Sequence, residues 1–353
     1  MNRGIPSLDG LRALSIGFVL LAHLSGTRGF FHLNIPGLGE FGVRVFFVIS
    51  GYLITSLLLK EREATGTVHL PAFYFRRLMR LSPPLLFYLG VIFALSAAGE
   101  ITLRQGDVIH ALTYTMNFHF DRAWQVGHLW SLSVEEQFYL LWPAALLWAG
   151  SRAPAVCFAV IGVVPLIRVS LLLVARSMII HSDELFFTVA DTLAAGCALA
   201  FIQQRLWRSA RYTRFQNSRA FWFVPLGALA ILFNPIWRLQ ALVGFTAMNL
   251  CIMLTIDQAV RMPKTAWGRF LNLGPMRAVG LISYSLYLWQ QLFLNRASDR
   301  LVCAFPVNVL LAFLMAWISF VAVESPALRL RNRWRLPRTS PVRRPSSGER
   351  IPS

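Results

Sequence analysis

Long apolar runs recur from one end of the chain to the other, and this feature limits the possible folds more than any other. Hydrophobic residues make up 56% of the 353 residues and charged residues only 14%, which is too apolar for a soluble protein of this length. A run of about 20 apolar residues is long enough to cross a bilayer as an α-helix. The chain is therefore predicted to be an all-α, polytopic transmembrane helical bundle embedded in the lipid bilayer.

Apolar-run length predicts about ten membrane spans. They are expected near residues 11–30, 41–59, 82–98, 130–149, 154–174, 186–204, 220–234, 239–256, 278–294 and 303–323. The connections between them alternate between segments rich and poor in Arg and Lys, and the positive-inside rule then places both termini in the cytoplasm. A transmembrane domain is predicted over residues 1–328, followed by a basic, disordered tail over residues 329–353.

The formal net charge of +18 lies mainly in these connections and in the tail. There it favours a fixed orientation and contact with anionic lipid. No nucleic-acid-binding motif accompanies the charge, so nucleic acid is not expected among the partners.

The first apolar segment contains two ionisable residues, Arg12 and His23. Eleven positions are very close to three helical turns, so the two side chains lie on nearly the same face, about 16 Å apart along the axis. Ionisable groups in lipid usually face a bundle interior or a watery cavity. Arg suits a phosphate or carboxylate, and His suits a general base or a nucleophile. The alternative is structural, with an Arg reaching the interface and a His bonded to a neighbouring helix.

The next two segments carry a Ser-Gly pair and a cluster of three arginines. Ser50 and Gly51 are typical of close helix approach, with the hydroxyl bonding across helices rather than acting as a nucleophile. Arg76, Arg77 and Arg80 precede the third span at its predicted cytoplasmic end. They are candidates to bind a polyanion such as the phosphates of coenzyme A, or they act only as topology signals among lipid head groups.

Two adjacent carboxylates, Glu135 and Glu136, lie at the start of the fourth predicted span. Adjacent helix positions point about 100° apart, so one can face a cavity and the other a partner helix. A carboxylate here could orient His23, with which Glu135 is predicted to share the outer half of the membrane, or bind sugar hydroxyls. The alternative is helix-start chemistry, a capping box of Ser133 and Gln137.

Other polar residues in the apolar segments are candidates for bonds between helices. They are Asp191, Glu324 and the hydroxyls and amides of residues 283–291. The spacing of His110, His119 and His128 matches no standard metal site, so no metal is predicted.

Together the motifs resemble the acyltransferase-3 family of integral-membrane O-acyltransferases, over about residues 5–330. The most specific parts are Leu8 to Arg12 with the later His23, the string from Phe46 to Tyr52, the string from Arg76 to Pro83 and the string from Trp130 to Tyr139. The resemblance implies the stand-alone type, without a fused SGNH domain.

The resemblance also implies an activity: transfer of an acyl group, commonly acetyl, from acyl-CoA to a hydroxyl. The acceptor would be a glycan, a lipid-linked saccharide or a glycosylated small molecule, and acetyl-CoA or another acyl-CoA would be a co-substrate rather than a permanently bound cofactor. The implied catalytic residues are His23, Arg12, Glu135 and Glu136, the implied donor-binding residues are Arg76, Arg77 and Arg80, and the supporting residues are Asp9, Ser50, Gly51, Trp130, Ser131 and Tyr139. These are expected around a polar central cavity.

Two positions depart from the family pattern. Gln290 stands where many members have a His, and Ala190 where some have an Arg. Gln can donate and accept hydrogen bonds but cannot act as a base at neutral pH. The rival class is a membrane transporter or exporter of a glycolipid or acylated product, which buried charges also permit, although no paired halves are visible. A third possibility is an inactive partner of a glycan assembly complex.

Overall fold

The computed structural model describes residues 5–33, 35–174, 181–234 and 236–333, and these residues form helices and turns without a β-strand. The main helices are α1 (Pro6–Leu24), α2 (Leu38–Thr65), α3 (Leu70–Ala97), α4 (Leu129–Ala149), α5 (Ala153–Val174), α6 (Phe186–Arg208), α7 (Phe223–Ala230), α8 (Phe245–Arg261), α9 (Gly274–Phe293) and α10 (Val307–Ser319). Shorter helical segments are Asp107–Leu112, Met116–Phe118, Trp124–Gly127, Gly150–Arg152, Ala210–Asn217, Arg219–Trp222, Ile231–Phe233, Trp237–Leu239, Gln240–Gly244, Ala266–Leu271, Leu301–Cys303, Phe320–Glu324 and Ser325–Arg333.

Seven helical stretches in the described residues are long and apolar enough to cross a membrane. One of them, Trp124–Val174, has 51 residues, which as a straight helix would extend about 75 Å, more than twice the hydrocarbon thickness. It bends between α4 and α5, where Gly150 has a φ of 55°. The prediction of an all-α, multi-pass membrane protein is confirmed. The number of about ten spans and the cytoplasmic location of the termini stay predictions.

The C-terminal part of the described chain is helical as far as Arg333. Helix α10 continues through the π-helical turn Phe320–Glu324 into Ser325–Arg333, so the first residues of the predicted basic tail belong to this helix. The rest of that tail, residues 334–353, lies outside the described residues.

Glycines allow the central helices to approach each other closely. Helix α1 packs against α2 and α9, and α2 also packs along α6. A Cβ at Gly51 would collide with the carbonyl of Leu193 on α6, and a Cβ at Gly196 would collide with the carbonyl of Val48 on α2. A Cβ at Gly280 of α9 would collide with the backbone of α1. Small residues at such crossings are the usual way for membrane helices to gain close packing.

An ion pair between α5 and α6 lies in the interior. Asp191 is fully buried and pairs with Arg168, which is 3% exposed. Asp191 also accepts a hydrogen bond from the Thr246 hydroxyl at 2.7 Å, and Arg168 donates to the Thr188 carbonyl at 2.7 Å. Asp191 therefore has a cationic partner. That partner, Arg168, lies on the preceding helix, 23 positions earlier in the sequence.

We expect Gly51→Ala to destabilise the protein by about 1–3 kcal/mol or more, because the new methyl group must push α2 and α6 apart. The free energy of unfolding in mixed micelles measures this effect. Gly90→Ala on α3 is the matched control, because a Cβ at Gly90 meets no atom within 4 Å. Equal stability of the two variants would contradict the close crossing of α2 and α6.

Arg168→Met is expected to lower stability by about 3–5 kcal/mol, because it leaves the buried Asp191 carboxylate without its cation. The double variant Arg168→Met/Asp191→Leu should recover most of that loss, since neither charge then remains. Arg152→Met, at an exposed position, is the control for removing a guanidinium. If the single variant unfolded like the wild type, the ion pair would have no structural role.

Candidate active site

The interior of the bundle contains a cavity lined by arginines, here called the arginine cavity. Its volume is about 130 Å³. Helices α1, α2, α3, α4 and α9 all contribute to its wall. The polar and charged residues that line it are Arg12, Ser50, Arg77, Arg80, Ser131, Glu135, Tyr139, Ser283, Tyr284 and Tyr287. Among the described lining residues, three guanidinium groups thus face one carboxylate, so the cavity favours an anionic ligand.

Neighbouring side chains hold the arginines of this cavity in place. Asp9, one turn earlier on α1, forms an ion pair with Arg12 at 3.2 Å. The Arg77 guanidinium lies 5.7 Å from the ring centre of Phe73 and 5.9 Å from that of Tyr139, within the range of cation–π attraction. Asp9 and Tyr139, both expected to be supporting residues, therefore contact the arginines directly.

Glu135 lines the arginine cavity beside Arg12, rather than lying with His23 as the sequence suggested. Ser50 donates a hydrogen bond to its Oε1 at 2.5 Å, and the Tyr139 hydroxyl donates to Ser50 at 3.2 Å. The Ser50 hydroxyl of α2 thus donates to a carboxylate of α4, which is a hydrogen bond between two helices. Gly51 lies where α2 crosses α6, and its lack of a side chain lets the two backbones approach closely. The Ser-Gly pair is a packing and hydrogen-bonding element in this structure.

Glu136 does not line the arginine cavity, whereas Glu135 does, in keeping with the angle of about 100° between adjacent helix positions. Its Oε1 is buried and has no hydrogen-bond partner among the described residues. The capping-box alternative is wrong, because α4 begins at Leu129, one turn before Ser133. Ser133 instead donates to the Leu129 carbonyl, and Gln137 bonds to the Tyr114 carbonyl outside the helix.

The three arginines of α3 separate into two groups. Arg77 and Arg80, three positions apart and thus on one helical face, line the arginine cavity. Arg76 lies about 100° away from Arg77 around the helix and forms an ion pair with Glu61 of α2 at 2.9 Å. The structure therefore brings two of the three expected donor-binding arginines into the cavity.

A second cavity, here called the histidine cavity, contains His23 and has a volume of about 340 Å³. Its other polar and aromatic lining residues are Glu40, Phe120, Arg122, Trp124, His128, Trp130, Glu184, Tyr287 and Gln291. Two of these lining residues, Arg122 and Glu184, form an ion pair at 2.5 Å. Glu40 does not pair with Arg44 one turn later, because Arg44 binds Asp183 at 2.9 Å.

His23 makes its hydrogen bond to Gln290, the position at which the sequence departs from the family pattern. Its Nδ1 lies 2.7 Å from Oε1 of Gln290 on α9. Its ring also contacts Trp124 edge-on, with the ring centres 5.5 Å apart. The only sequence signal for this partner was the row of hydroxyls and amides on α9, because the two residues are 267 positions apart.

The expected single polar cavity is divided in two, and Val43 and Tyr287 line both parts. The Tyr287 hydroxyl bonds to the Ser131 hydroxyl at 2.6 Å and donates to the His128 carbonyl at 3.0 Å. Of the expected supporting pair on α4, Trp130 lies in the histidine cavity and Ser131 in the arginine cavity. The two cavities are therefore separated by a thin wall of these side chains.

The remaining histidines do not assemble a metal site. The rings of His110 and His119 stack with centres 4.6 Å apart, and His119 bonds to buried Asp107 at 3.0 Å. His128 lies apart from them in the histidine cavity. Among the described residues, no group of three or more His, Cys, Asp or Glu side chains is arranged to hold a metal ion.

The fold and the two cavities define a polytopic helical membrane protein whose interior contains two cavities lined by charged and polar side chains. Residues 5–324 match the acyltransferase-3 family model, described as an acyltransferase domain. The chain belongs to this acyltransferase family, as the sequence motifs predicted. No solved structure matches the chain.

Three curated relatives resemble most of the chain. O-acetyltransferase OatA of Staphylococcus aureus (strain NCTC 8325 / PS 47) is 31% identical over 360 residues, covering 92% of this chain and 57% of the relative. Peptidoglycan O-acetyltransferase OatA of Listeria monocytogenes serovar 1/2a is 29% identical over 366 residues, covering 91% and 55%. A putative O-acetyltransferase of S. aureus strain COL is 30% identical over 361 residues, covering 92% and 57%. The chain thus spans little more than half the length of these relatives.

Proposed function

We propose that this protein is a membrane O-acyltransferase that moves an acetyl group from acetyl-CoA, or another acyl group from its acyl-CoA, to a hydroxyl of a glycan or glycosylated small molecule. Family membership and the names of the relatives support the reaction class. The observation that carries the proposal is the pair of cavities. A histidine with one ring nitrogen unbonded by any described residue lies in a cavity that shares Val43 and Tyr287 with a guanidinium-lined cavity.

The arginine cavity is the proposed donor site. Three guanidiniums suit the phosphates of coenzyme A, because Arg pairs with phosphate through two parallel hydrogen bonds. Acyl-CoA would bind there as a co-substrate, with its uncharged pantetheine arm directed past Val43 and Tyr287 towards His23. Since Arg12 and His23 are about three helical turns apart, Arg12 acts on the donor's anionic part and not on the thioester.

The histidine cavity is the proposed acceptor site. Its carboxylates Glu40 and Glu184 can accept hydrogen bonds from sugar hydroxyls, and Trp124 and Trp130 offer apolar ring faces. One relative is named as a peptidoglycan O-acetyltransferase, which makes a cell-envelope glycan the first acceptor to test. Coenzyme A is cytosolic, so the arginine cavity and the neighbouring start of α1 would face the cytoplasm, and the acceptor would enter from the opposite side.

In the direct route, His23 removes the acceptor proton while the acceptor oxygen attacks the thioester carbonyl carbon. The carbon–sulfur bond then breaks, and coenzyme A leaves as a thiolate that takes the proton from the imidazolium. In the covalent route, His23 itself carries the acyl group before transfer. Rapid quenching with labelled acetyl-CoA separates the two routes, because only the covalent route places label on His23.

His23→Ala and Arg12→Ala are each expected to abolish acetyl transfer while leaving expression and folding intact. Loss of a general base lowers the rate by about 10²–10⁴-fold. The assay follows release of coenzyme A from acetyl-CoA and acetylation of a soluble peptidoglycan fragment, with the protein in lipid nanodiscs and no ion gradient. His32→Ala and Arg208→Ala, at exposed positions, are the matched controls. Turnover in either active-site variant at the wild-type rate would refute the assignment, and turnover that needs a gradient would favour a transporter.

Arg77→Ala and Arg80→Ala are expected to weaken coenzyme A binding about tenfold or more. Hydrogen bonds to charged groups contribute about 1.5–3 kcal/mol, and a tenfold change in affinity corresponds to about 1.4 kcal/mol. Titration calorimetry with coenzyme A measures the change, and pantetheine, which lacks the phosphates, should bind all variants equally. Arg76→Ala should have a smaller effect because Arg76 pairs with Glu61 outside the cavity lining. An equal loss for all three arginines would contradict the proposed donor site.

A further inference from the structure

His23 is held by a buried amide and not by a charged group. Its Nδ1 lies 2.7 Å from Oε1 of Gln290, and Gln290 is fully buried on α9. An amide has a carbonyl end that only accepts hydrogen bonds and a nitrogen end that only donates them. Which of the two ring nitrogens carries the hydrogen in neutral His23 therefore depends on which end of Gln290 faces the ring.

Two backbone carbonyls decide the orientation of the amides. Gln291 is 2.8 Å from the Trp124 carbonyl, which can only accept, so the Gln291 nitrogen faces Trp124 and its oxygen faces Gln290. The nitrogen of Gln290 then donates to that oxygen at 3.2 Å, and it also lies 3.4 Å from the Tyr287 carbonyl. Flipping Gln290 would place its oxygen against two acceptors. The carbonyl end of Gln290 therefore faces His23.

The same reasoning assigns the protons on the histidine ring. A carbonyl oxygen at 2.7 Å requires a donor, so Nδ1 of His23 carries the hydrogen. In the neutral ring the other nitrogen, Nε2, then has a free lone pair. Among the described residues nothing bonds to Nε2, and the ring lines the histidine cavity. Trp124 also holds Gln291 in place, since its indole nitrogen donates to the main-chain carbonyl of Gln291 at 2.8 Å.

We propose that Gln290 and Gln291 are positioning residues that hold His23 in the Nδ1–H tautomer, so that Nε2 is the atom that takes the acceptor's proton. This inference rests on the proposed acyl transfer. The proton moves from the hydroxyl to Nε2, and the imidazolium keeps its Nδ1–H bond to Gln290. The proton then leaves Nε2 for the departing thiolate. A neutral amide cannot take the Nδ1 proton, so the ring returns to the same tautomer after each turnover.

Nitrogen-15 NMR of protein labelled at histidine tests the tautomer directly, independently of activity. The spectrum of His23→Ala identifies the His23 signals by difference, at a pH where the ring is neutral. We expect a protonated Nδ1 and an unprotonated Nε2 in the wild type, and a shift towards the Nε2–H form in Gln290→Ala. A wild-type ring protonated at Nε2, or a ring unchanged in Gln290→Ala, would overturn the inference.

Steady-state kinetics then test the positioning role. Gln290→Ala should lower kcat about 10–100-fold, as loss of a group that orients a ligating or catalytic histidine typically does, with the KM for acetyl-CoA unchanged. Gln290→Glu also keeps an acceptor oxygen for Nδ1–H, but its carboxylate stabilises the imidazolium and delays release of the proton from Nε2, so this variant should lower kcat as well. Gln291→Ala frees the Gln290 amide to rotate and should give an intermediate loss.

Gln203→Ala is the matched control, because Gln203 is an amide bonded to Asp257 in a polar cluster outside both cavities. It should change neither the tautomer nor kcat. Wild-type kcat in Gln290→Ala would refute the positioning role. A protein with the expected tautomer but no acetyl transfer to any hydroxyl would instead refute the proposed function.

Discussion

The cost of placing a charge in lipid governs the arrangement of this molecule. An ionisable side chain inside a membrane must meet a partner or face a water-filled space. The interior charges follow this rule in both ways: Arg168 and Asp191 neutralise each other between α5 and α6, whereas Arg12 and Glu135 line a cavity. Three guanidiniums face one carboxylate among the described residues that line the arginine cavity, and this excess of positive charge marks it as the candidate site for an anionic ligand.

Helix α1 contributes a residue to each cavity, Arg12 to the arginine cavity and His23 to the histidine cavity. Because α9 has a glycine at position 280 where it meets the α1 backbone, α1 lies tightly against α9 and also contacts α2. Arg12 and His23 are about three helical turns apart along α1, and Tyr287 lines both cavities. Under the proposed function, the acyl end of the donor has to pass Val43 and Tyr287 to reach His23. The proposed reaction therefore depends on packing as much as on the reacting groups.

The carboxylates and amides near the site have different functions from those that spacing alone suggested. Glu135 lies with the arginines and is bonded to Ser50, so it balances positive charge in the arginine cavity rather than orienting His23. Gln290, which looked like a weakened position in the family pattern, is the residue that bonds to His23. A neutral partner suits the proposed role of His23 as a base that accepts and releases a proton, because a carboxylate would stabilise the imidazolium and delay that release.

The sequence by itself determined the helical membrane fold, the family and the approximate places of Arg12, His23, Arg77 and Arg80. These follow from run length, helical period and motif order, which are properties of continuous segments. Only the tertiary structure decided that Arg168 neutralises Asp191, that Arg76 turns to Glu61, that the interior is divided in two and that Gln290 holds His23. The period of a helix fixes the angle of each side chain around its own axis. It does not say which helix lies opposite, and the bond from His23 to Gln290 joins residues 267 positions apart.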